Sequence, residues 1–299
     1  MKKILVIGST VADIIVNLDF LPTTAQDVHI KSQKMSLGGC AYNVSDMIRH
    51  FDVPYTLFSP IGTGLYGDFV RNQLALKGLA SPMPTPDQPN GCCYCFVEES
   101  GERTFIVEHG AEYLFYKEWF DQLNMDKIGS IYICGLEIED KTGDAIVDFL
   151  EAHKDIPVCF APGPRLNNID ETLMSRIFAL HPIIHLNEDE VCGYTGANSL
   201  EDGAWALFQM TKNTVIVTKG ADGSYFYDGE ELIHVPPTKA AMVVDTIGAG
   251  DGHCGAVLAC LAKGMTTYEA LLQANKASSL VVTQEGATVD DQIFKNYFK

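Results

Sequence analysis

The segment DTIGAGDG, residues 245–252, is the most informative part of this 299-residue chain, because a long helical pattern begins directly after it. The apolar positions of that pattern share one helix face: Cys254, Val257, Leu258 and Leu261. Small residues let the backbone approach a ligand closely, and free N–H groups in a first helical turn attract an anion. We therefore expect Gly248, Ala249 and Gly250 to hold a phosphate group on which negative charge develops.

Asp251, at the end of this turn, has two interpretations. An aspartate in the first turn of a helix is commonly a capping residue, and an isolated Gly-Asp pair favours that interpretation. A carboxylate beside an anion-binding turn can instead accept the proton of an attacking hydroxyl group. The segment is not a Walker P-loop, because no Gly-Lys-Ser/Thr sequence follows a glycine-rich run.

Upstream of this turn, short apolar runs alternate with longer amphipathic segments. Strands are predicted at residues 4–7, 131–134, 158–160, 183–186 and 214–218. Helices are predicted at residues 142–153, 171–180 and 200–210. Such alternation is typical of a parallel sheet that is covered by helices on both faces. Right-handed crossovers bring the carboxyl ends of the strands to one edge, where open α/β sheets bind ligands.

Two regions interrupt this alternation. Residues 11–33 alternate between apolar and polar side chains, and residues 92–107 contain two strand-like runs around an acidic turn. We expect a small β-rich lid, approximately residues 11–36 and 91–110, on a single domain that spans residues 1–299. A further hairpin is predicted around Asp228-Gly229.

The composition argues against several classes of protein. The chain has 21 basic and 39 acidic residues, a formal charge of −18, whereas a nucleic-acid binder needs a basic patch. No run reaches the roughly 18 apolar residues that a membrane-spanning helix needs, so we expect neither nucleic acid nor a membrane as partner. The nine cysteines are scattered through apolar runs without zinc-ribbon spacing, which favours free thiols and a cytoplasmic location.

Residues 245–252 resemble the C-terminal signature of the ribokinase-like, or PfkB, family of carbohydrate and nucleoside kinases, and the resemblance extends over most of the chain. It implies a ribokinase-like three-layer α/β sandwich with a mainly parallel central sheet and the small β-rich lid. It also implies that Gly248, Ala249 and Gly250 form the anion hole of a kinase. Asp251 is then the catalytic base rather than a cap.

The sequence GGCAYN, which begins at Gly38, is similar to the N-terminal signature of the same family. The resemblance implies that Gly38 and Gly39 let a sugar lie against the backbone and that Asn43 bonds its hydroxyl groups. Alone, these residues are most often a tight turn and a cap. Asp13 matches the family's first sugar-binding acid, and a polyol suits a buried carboxylate without another partner. Cys40 stands where ribokinases carry lysine, which argues against ribose.

Two more substrate-binding candidates come from the resemblance. Glu137 matches an acid that some family members direct at the sugar, although Glu139 competes for this role. Arg165 lies where relatives usually read Asp-Pro-Asn-x-Arg, but Ala161 and Gly163 replace the Asp and Asn of that element. Its planar guanidinium can bind a phosphate or a carboxylate, or it can be a solvated surface group.

The acidic segment NEDE begins at Asn187, directly after a predicted strand. One interpretation is an ordinary helix cap with acidic residues in the first turn. The resemblance implies instead an Asn-x-x-Glu element in which Asn187 and Glu190 hold magnesium and phosphate through water. Magnesium keeps several of its waters and uses few carboxylates, so these two residues suffice when the nucleotide supplies the other ligands.

A nucleotide site is expected, also by resemblance, in the C-terminal part of the chain. The turn after the strand predicted at 214–218 lines the nucleotide in the family, and its candidates are Thr218, Lys219, Gly220 and Gly223. Asn275 and Gly286 occupy positions that flank the adenine. Without the resemblance, Asn275 is interpreted as a surface helix residue and Gly286 as a C-terminal cap.

Together these features predict an enzyme that uses ATP and Mg²⁺ to phosphorylate a hydroxyl group of a small carbohydrate or polyol, with a monovalent cation open as a further cofactor. The alternatives are a nucleoside, sugar-phosphate or sugar-acid kinase of the same fold, or a non-catalytic sugar- or nucleotide-sensing protein. A charged acceptor needs additional cations near the lid, and the candidates are Lys31, Lys34, Arg103 and Arg165. Because exposed strand edges invite pairing, a homodimer through the lid is predicted.

Overall fold

The computed structural model describes residues 1–299 as two β-sheets with flanking helices. The strands are β1 (Lys3–Ile7), β2 (Val11–Leu18), β3 (Ser32–Gly38), β4 (Tyr55–Phe58), β5 (Cys92–Glu98), β6 (Arg103–Glu108), β7 (Ile128–Cys134), β8 (Val158–Ala161), β9 (Ile183–Asn187), β10 (Val215–Thr218), β11 (Ser224–Tyr227) and β12 (Leu232–Val235). The helices are α1 (Cys40–His50), α2 (Gly64–Leu76), α3 (Gly135–Glu139), α4 (Gly143–Ala152), α5 (Glu171–Phe178), α6 (Glu188–Thr195), α7 (Leu200–Thr211), α8 (Ala249–Ala262), α9 (Thr267–Val281) and α10 (Asp291–Tyr297).

The larger sheet has eight strands in the order β12-β11-β10-β9-β8-β7-β1-β4. The strands from β10 to β4 all run parallel, and β11 and β12 add an antiparallel hairpin at one edge. The predicted strands and the hairpin around Asp228-Gly229 are therefore confirmed. The predicted helices at 142–153, 171–180 and 200–210 are confirmed as α4, α5 and α7. No helix of the structure has both the length and the apolarity needed to cross a membrane.

Strand β1 explains the three layers of the fold. Its residues Ile4, Leu5, Val6 and Ile7 are each at most 1% exposed. Successive side chains of a strand face opposite sides, so Ile4 and Val6 enter the core that α1, α8 and α9 cover. Leu5 and Ile7 enter the core that α4, α5 and α7 cover. Such a continuous apolar strand is stable only between two helical layers.

The smaller sheet has four strands in the order β3-β2-β5-β6, and we call this sheet the lid. Strands β2 and β5 are parallel, whereas the other two pairs are antiparallel. The lid occupies the segments expected from the sequence, except that β3 continues to Gly38. Residues 19–31 form no strand, and Pro22 within them cannot donate to a sheet ladder. That residues 1–299 form one domain stays a prediction.

Close contact between α1 and α8 brings two distant segments of the chain together. A Cβ atom on Gly255 would lie 2.6 Å from the carbonyl oxygen of Val44, so only glycine allows this approach of the two helices. The contact sets the first turn of α8, with Asp251, against the first turn of α1, with Asn43.

Candidate active site

A cavity of about 180 Å³ opens at the carboxyl edge of the parallel strands. Its walls come from the ends of β7, β8, β9 and β10 and from the first turns of α1 and α8. The polar side chains in its lining include His185, Asn187, Glu190, Thr218 and Asp251, and Tyr132 and the thiols of Cys40, Cys134 and Cys254 also line it. The structure thus brings the predicted base together with residues of the predicted metal and nucleotide sites at one edge of the sheet.

The turn before α8 has the geometry of an anion site. Gly248 has a φ of 72°, in the left-handed region, and a Cβ atom there would lie 2.5 Å from the Cβ atom of Ala287. No side chain caps this helix, and the N–H groups of Gly250 and Asp251 donate to no atom of the protein. A phosphate oxygen at this position would therefore meet unpaired donors at the positive end of the helix dipole.

Asp245 holds this turn in place, a role that the sequence reasoning missed. Its Oδ1 accepts a hydrogen bond from the Ile247 N–H at 2.8 Å, and its Oδ2 accepts one from the Gly286 N–H at 2.9 Å. Arg103, at the start of β6, forms an ion pair with the same carboxylate at 2.7 Å. Only an Asx-turn pattern at Asp245 could have indicated the first contact, whereas the other two join distant parts of the chain.

Asp251 is not a helix cap in this structure. Its Oδ2 accepts a hydrogen bond from Asn43 Nδ2 at 2.9 Å. Burial raises the pKa of Asp251 to about 6, although hydrogen bonds from Asn43 and Cys40 oppose the rise. A carboxylate with this pKa is deprotonated at neutral pH and is more basic than an exposed aspartate. Both properties suit a group that accepts a proton from a hydroxyl.

Gly38 and Gly39 leave space in front of Asp13. A Cβ atom on Gly38 would lie 1.8 Å from Asp13 Oδ2, and one on Gly39 would lie 2.6 Å from the Ser9 carbonyl oxygen. The Asp13 carboxylate makes no hydrogen bond or ion pair within the protein. Burial, followed by the negative charge of Asp251, raises the pKa of Asp13 to about 7. This carboxylate is thus partly buried and has no partner in the protein.

Unpaired polar atoms cluster beside Asp13 and Asp251. Glu137 Oε1 accepts a hydrogen bond from the Ser9 N–H at 2.7 Å, while its Oε2 has no partner although the residue is 1% exposed. Asn43 Oδ1, Ser9 Oγ and Thr10 Oγ1 are also buried without partners. Burial raises the pKa of Glu137. Buried polar groups without partners are costly, so these atoms are well placed to bind a ligand.

Asn187 and Glu190 form a capping box at the start of α6. Asn187 Oδ1 accepts from the Glu190 N–H at 2.8 Å, and Glu190 Oε2 accepts from the Asn187 N–H at 2.9 Å. The capping interpretation is therefore correct. It leaves Oε1 of Glu190, a residue of the cavity lining, without a hydrogen bond in the protein. Burial raises the pKa of Glu190. One carboxylate with a phosphate group nearby fits magnesium, which prefers oxygen and retains water.

Four of the predicted nucleotide residues lie at the end of β10 and in the turn that follows it. Thr218 pairs with Asn187 across β10 and β9 and reaches the cavity. Lys219 Nζ forms an ion pair with Glu188 at 3.1 Å, so it is already paired. Gly220 and Gly223 have φ values of 51° and 91°, which close the turn between β10 and β11.

Asn275 is buried, so its interpretation as a surface residue is wrong. Its Nδ2 donates to the carbonyl oxygens of Val235 and Pro236 at 3.2 and 2.9 Å, and its Oδ1 contacts His253 Nε2 at 3.1 Å. His253 Nδ1 lies 2.8 Å from Nε2 of His185, a cavity residue. Burial lowers the pKa of His185 to about 4, so this buried chain is uncharged. Asn275 thus holds the segment after β12. No local sequence pattern indicates the row of hydrogen-bonded side chains formed by His185, His253 and Asn275.

The structure separates the two competing glutamates. Glu139 Oε2 accepts from Arg165 Nε at 2.7 Å on the surface, whereas Glu137 points inward. The side chain of Arg165 is 44% exposed and does not line the cavity. Gly286, whose φ is 90°, is part of the Asp245 contact rather than the end of a helix.

The fold and the site define a small-molecule kinase, in which a base and free backbone amides meet at the carboxyl edge of a parallel sheet beneath a lid. A model of the pfkB family of carbohydrate kinases matches residues 1–293, and the chain belongs to this family. The predicted fold and family are therefore confirmed.

Individual relatives agree with this assignment. The chain is 32% identical over 291 residues to an uncharacterised sugar kinase of Escherichia coli (strain K12), YegV, with 95% of this chain and 90% of that protein covered. It is 25% identical over 298 residues to a ribokinase of Staphylococcus aureus (strain COL), covering 96% and 95% of the two chains.

Solved structures share the fold at lower identity. A ribokinase structure from Thermotoga maritima gives a TM-score of 0.86 at 20% identity, covering 100% of this chain and 99% of the other. An Arabidopsis thaliana ribokinase complexed with ribose and ATP gives 0.82 at 22% identity, covering 100% and 99%. The chain is thus a carbohydrate kinase with a ribokinase fold.

Proposed function

We propose that this kinase transfers the γ-phosphoryl group of ATP to a hydroxyl group of a neutral carbohydrate or polyol. The observation that carries the proposal is the acidic, unpaired set of acceptor atoms beside Asp251: the carboxylate of Asp13, Glu137 Oε2 and Asn43 Oδ1. Hydroxyl groups donate to such oxygens, whereas a second anion would be repelled by them.

The positions of the candidate cations support a neutral acceptor. Arg103 is paired with Asp245, Arg165 with Glu139, and Lys31 with Asp19 and Glu99. Lys34 alone has no ion-pair partner, and it is exposed on edge strand β3. A sugar acid or sugar phosphate would therefore find no free buried cation beside Asp13. We accordingly favour a neutral acceptor over the charged alternatives.

In the proposed reaction, the oxygen of the acceptor hydroxyl bonds to the γ-phosphorus of ATP while Asp251 accepts the proton of that hydroxyl. The bond between the γ-phosphorus and the leaving oxygen of ADP breaks at the same time. The unpaired amides of Gly250 and Asp251, in the turn that Gly248 begins, face the charge on the transferring group, whereas the Ala249 N–H donates to the Thr246 carbonyl oxygen at 3.3 Å. Asp13, Asn43 and the backbone at Gly38 and Gly39 orient the acceptor, and the lid excludes water.

Magnesium and the nucleotide complete the proposal. Bound Mg²⁺ would supply charge neutralisation on the phosphates, with Glu190 as its protein carboxylate and Asn187 orienting that carboxylate through the capping box. The nucleotide would extend from Thr218 along the turn at Gly220 and Gly223. Asn275 would contribute indirectly, by fixing the segment after β12, and a monovalent-cation requirement stays a prediction.

A panel of matched acceptors tests the proposal. Each neutral sugar is assayed with ATP and Mg²⁺ beside its aldonic acid and its phosphate ester, with nucleosides as a further group, and both ADP release and product mass are measured. We expect product from neutral acceptors only, formed roughly 100-fold or more slowly by Asp251→Asn. Faster phosphorylation of the acids or esters would contradict the neutral acceptor, product from nucleosides alone would favour that alternative, and no product from any acceptor would favour a sensing protein.

A further inference from the structure

Arg103 joins the lid to the anion turn. It is the first residue of β6, next to the hairpin tip, and its Nη1 lies 2.7 Å from Asp245 Oδ1. Its side chain is 19% exposed and that of Asp245 is 4% exposed, so the pair is largely shielded from water. No other arginine or lysine of the lid strands forms an ion pair with the rest of the protein.

The partner of Arg103 is the carboxylate that shapes the anion site. Asp245 accepts hydrogen bonds from the N–H groups of Ile247 and Gly286, one residue before Gly248 and one residue before Ala287. Gly248 and Ala287 are in close contact across the turn. A shift of the Asp245 carboxylate would therefore move both sides of the turn that presents the free amides.

The sheet register places Arg103 on the face of the lid that carries Asp13. Asp13 pairs with Cys93, and Cys93 pairs with Val107, so these three residues share one face. Arg103 lies four residues from Val107 on the same strand, and side chains at even spacing face the same side. One face of the lid thus holds the acceptor carboxylate and, farther along, the cation that reaches the anion turn.

We propose that Arg103 is a positioning residue that couples closure of the lid to the ordering of the anion turn. When the lid lies over the acceptor, the guanidinium neutralises Asp245 and fixes the turn. When the lid opens, Asp245 remains as a buried carboxylate without its cation, a costly state in which the turn is less well held. The anion turn is thereby ordered for phosphoryl transfer only when the lid covers the acceptor. This inference rests on the proposed kinase reaction.

Kinetics of two Arg103 variants test the coupling. Arg103→Gln keeps hydrogen-bonding capacity but loses the charge, so we expect kcat to fall about tenfold, a typical coupling between two sites, with a smaller change in KM for ATP. A larger share of ADP should also form without phosphorylated acceptor, because water enters the looser site. Arg103→Lys keeps the charge and should recover most of kcat. Lys31→Gln, which breaks the ion pairs with Asp19 and Glu99 in the loops that join the lid strands, is the matched control and should stay within twofold of the parent.

Hydrogen–deuterium exchange without any substrate tests the contact between Arg103 and Asp245 independently of the reaction. We expect faster exchange in both β6 and the turn at 245–250 in Arg103→Gln, and parental exchange in Lys31→Gln. Parental exchange in Arg103→Gln, or an Arg103→Lys variant no more active than Arg103→Gln, would overturn the coupling. If the parent phosphorylates no acceptor but the exchange result is as expected, the proposed reaction is wrong, whereas the coupling of the lid to the anion turn through Arg103 is still supported.

A double-mutant cycle shows whether Arg103 acts through Asp245. Asp245→Asn alone should lower kcat, because one amide contact is weakened together with the ion pair. In that background, Arg103→Gln should add less than a twofold further loss, since the interaction is already broken. Full additivity of the two losses would contradict a shared pathway.

Discussion

The central sheet and the lid differ in burial, and the difference separates two tasks. Strand β1 has four consecutive residues that are at most 1% exposed, and polar side chains gather where the parallel strands end. In the lid, Phe105, Ile106 and Val107 are 51%, 57% and 45% exposed, and Asp13 lies within strand β2. In the proposed reaction, the buried sheet carries the groups for phosphoryl transfer, whereas the more exposed lid carries the carboxylate that would bind the acceptor. Substitutions of groups at the sheet edge should affect kcat most, whereas loss of the Asp13 carboxylate in the lid should affect KM and stability. Arg103 belongs to the lid but contacts Asp245 at the anion turn, so its substitution should act on kcat.

The largest effect is expected at Asp251, on the sheet side. Asp251→Asn keeps the size and an acceptor oxygen but removes the proton acceptor, so turnover should fall roughly 100-fold or more. The variant should melt within a few degrees of the parent and still bind nucleotide. Asp170→Asn, at a true cap that accepts from the N–H groups of Thr172 and Leu173, is the matched control and should keep parental turnover. Near-parental turnover of Asp251→Asn would remove it as the base.

The next effect is expected for the metal. Glu190→Gln can still accept from the Asn187 N–H but loses its charge, so about tenfold more Mg²⁺ should be needed for half-maximal rate. Glu269→Gln makes the same change in a capping box formed with Thr266 on α9, outside the cavity, and should leave the Mg²⁺ dependence unchanged. Full activity of the parent after chelation of divalent ions would exclude the metal from the mechanism.

On the lid side, Asp13→Asn should weaken acceptor binding and stabilise the unliganded protein. The folded pKa of about 7 exceeds the ordinary value of 3.8, so the folded state holds the proton more tightly and loses stability as pH rises through 7. The Asn variant should be more stable by about 2 kcal/mol at pH 8 and equal to the parent near pH 4. Its KM for the acceptor should rise about tenfold.

Denaturant titrations at both pH values measure this difference. Asp19→Asn, an exposed lid substitution, is the control and should show no such dependence on pH. Equal stability of Asp13→Asn and the parent at pH 8 would mean that the carboxylate is not strained in the unliganded protein.

The pH profile distinguishes the two carboxylates. Because Asp251 must be deprotonated, kcat/KM for the acceptor should fall toward tenfold per pH unit below its pKa of about 6. Protonation of Asp13 near pH 7 should add an earlier, shallower loss. In Asp13→Asn only the lower step should remain, and a profile that is flat from pH 8 to pH 5 would contradict both assignments.

The smallest effect on activity is expected from loss of the predicted homodimer. The three exposed apolar residues of edge strand β6 are a surface on which a second copy of the chain could pair. The dimer through the lid stays a prediction. Light scattering at micromolar concentrations should give twice the mass of the 32.7 kDa chain, and Phe105→Asn should lower it. A monomer mass throughout would exclude a lid-mediated dimer.

The sequence predicted those parts of the fold that depend on local pattern. The apolar runs of the parallel strands and the helix after Asp251 follow from side-chain periodicity alone, and the glycine turn could be recognised from its motif. Contacts between distant segments carried no such signal. The ion pair between Arg103 and Asp245, the chain of His185, His253 and Asn275, and the pairing of Arg165 with Glu139 each depend on how elements pack.

The site residues divide in the same way. Asp251 and Gly248 lie in one motif, so their proximity was predictable, whereas the contact of Asn43 with Asp251 joins residues that are 208 positions apart. Asn187 and Glu190 form the capping box, and the metal-binding interpretation of the same pattern stays a prediction. The capping box uses Oε2 of Glu190 and leaves Oε1 for a metal, so the two interpretations are compatible and the pattern alone could not separate them.

The division of labour between sheet and lid is tested most directly by rapid-quench measurement of the rate of phosphoryl transfer, with ATP and the identified acceptor both saturating. Once binding is saturated, Asp13→Asn should transfer within about tenfold of the parent, while Asp251→Asn should remain at least 100-fold slower. Equal losses in the two variants at saturation would contradict the account, because the lid carboxylate would then be as much a part of the chemical step as the base.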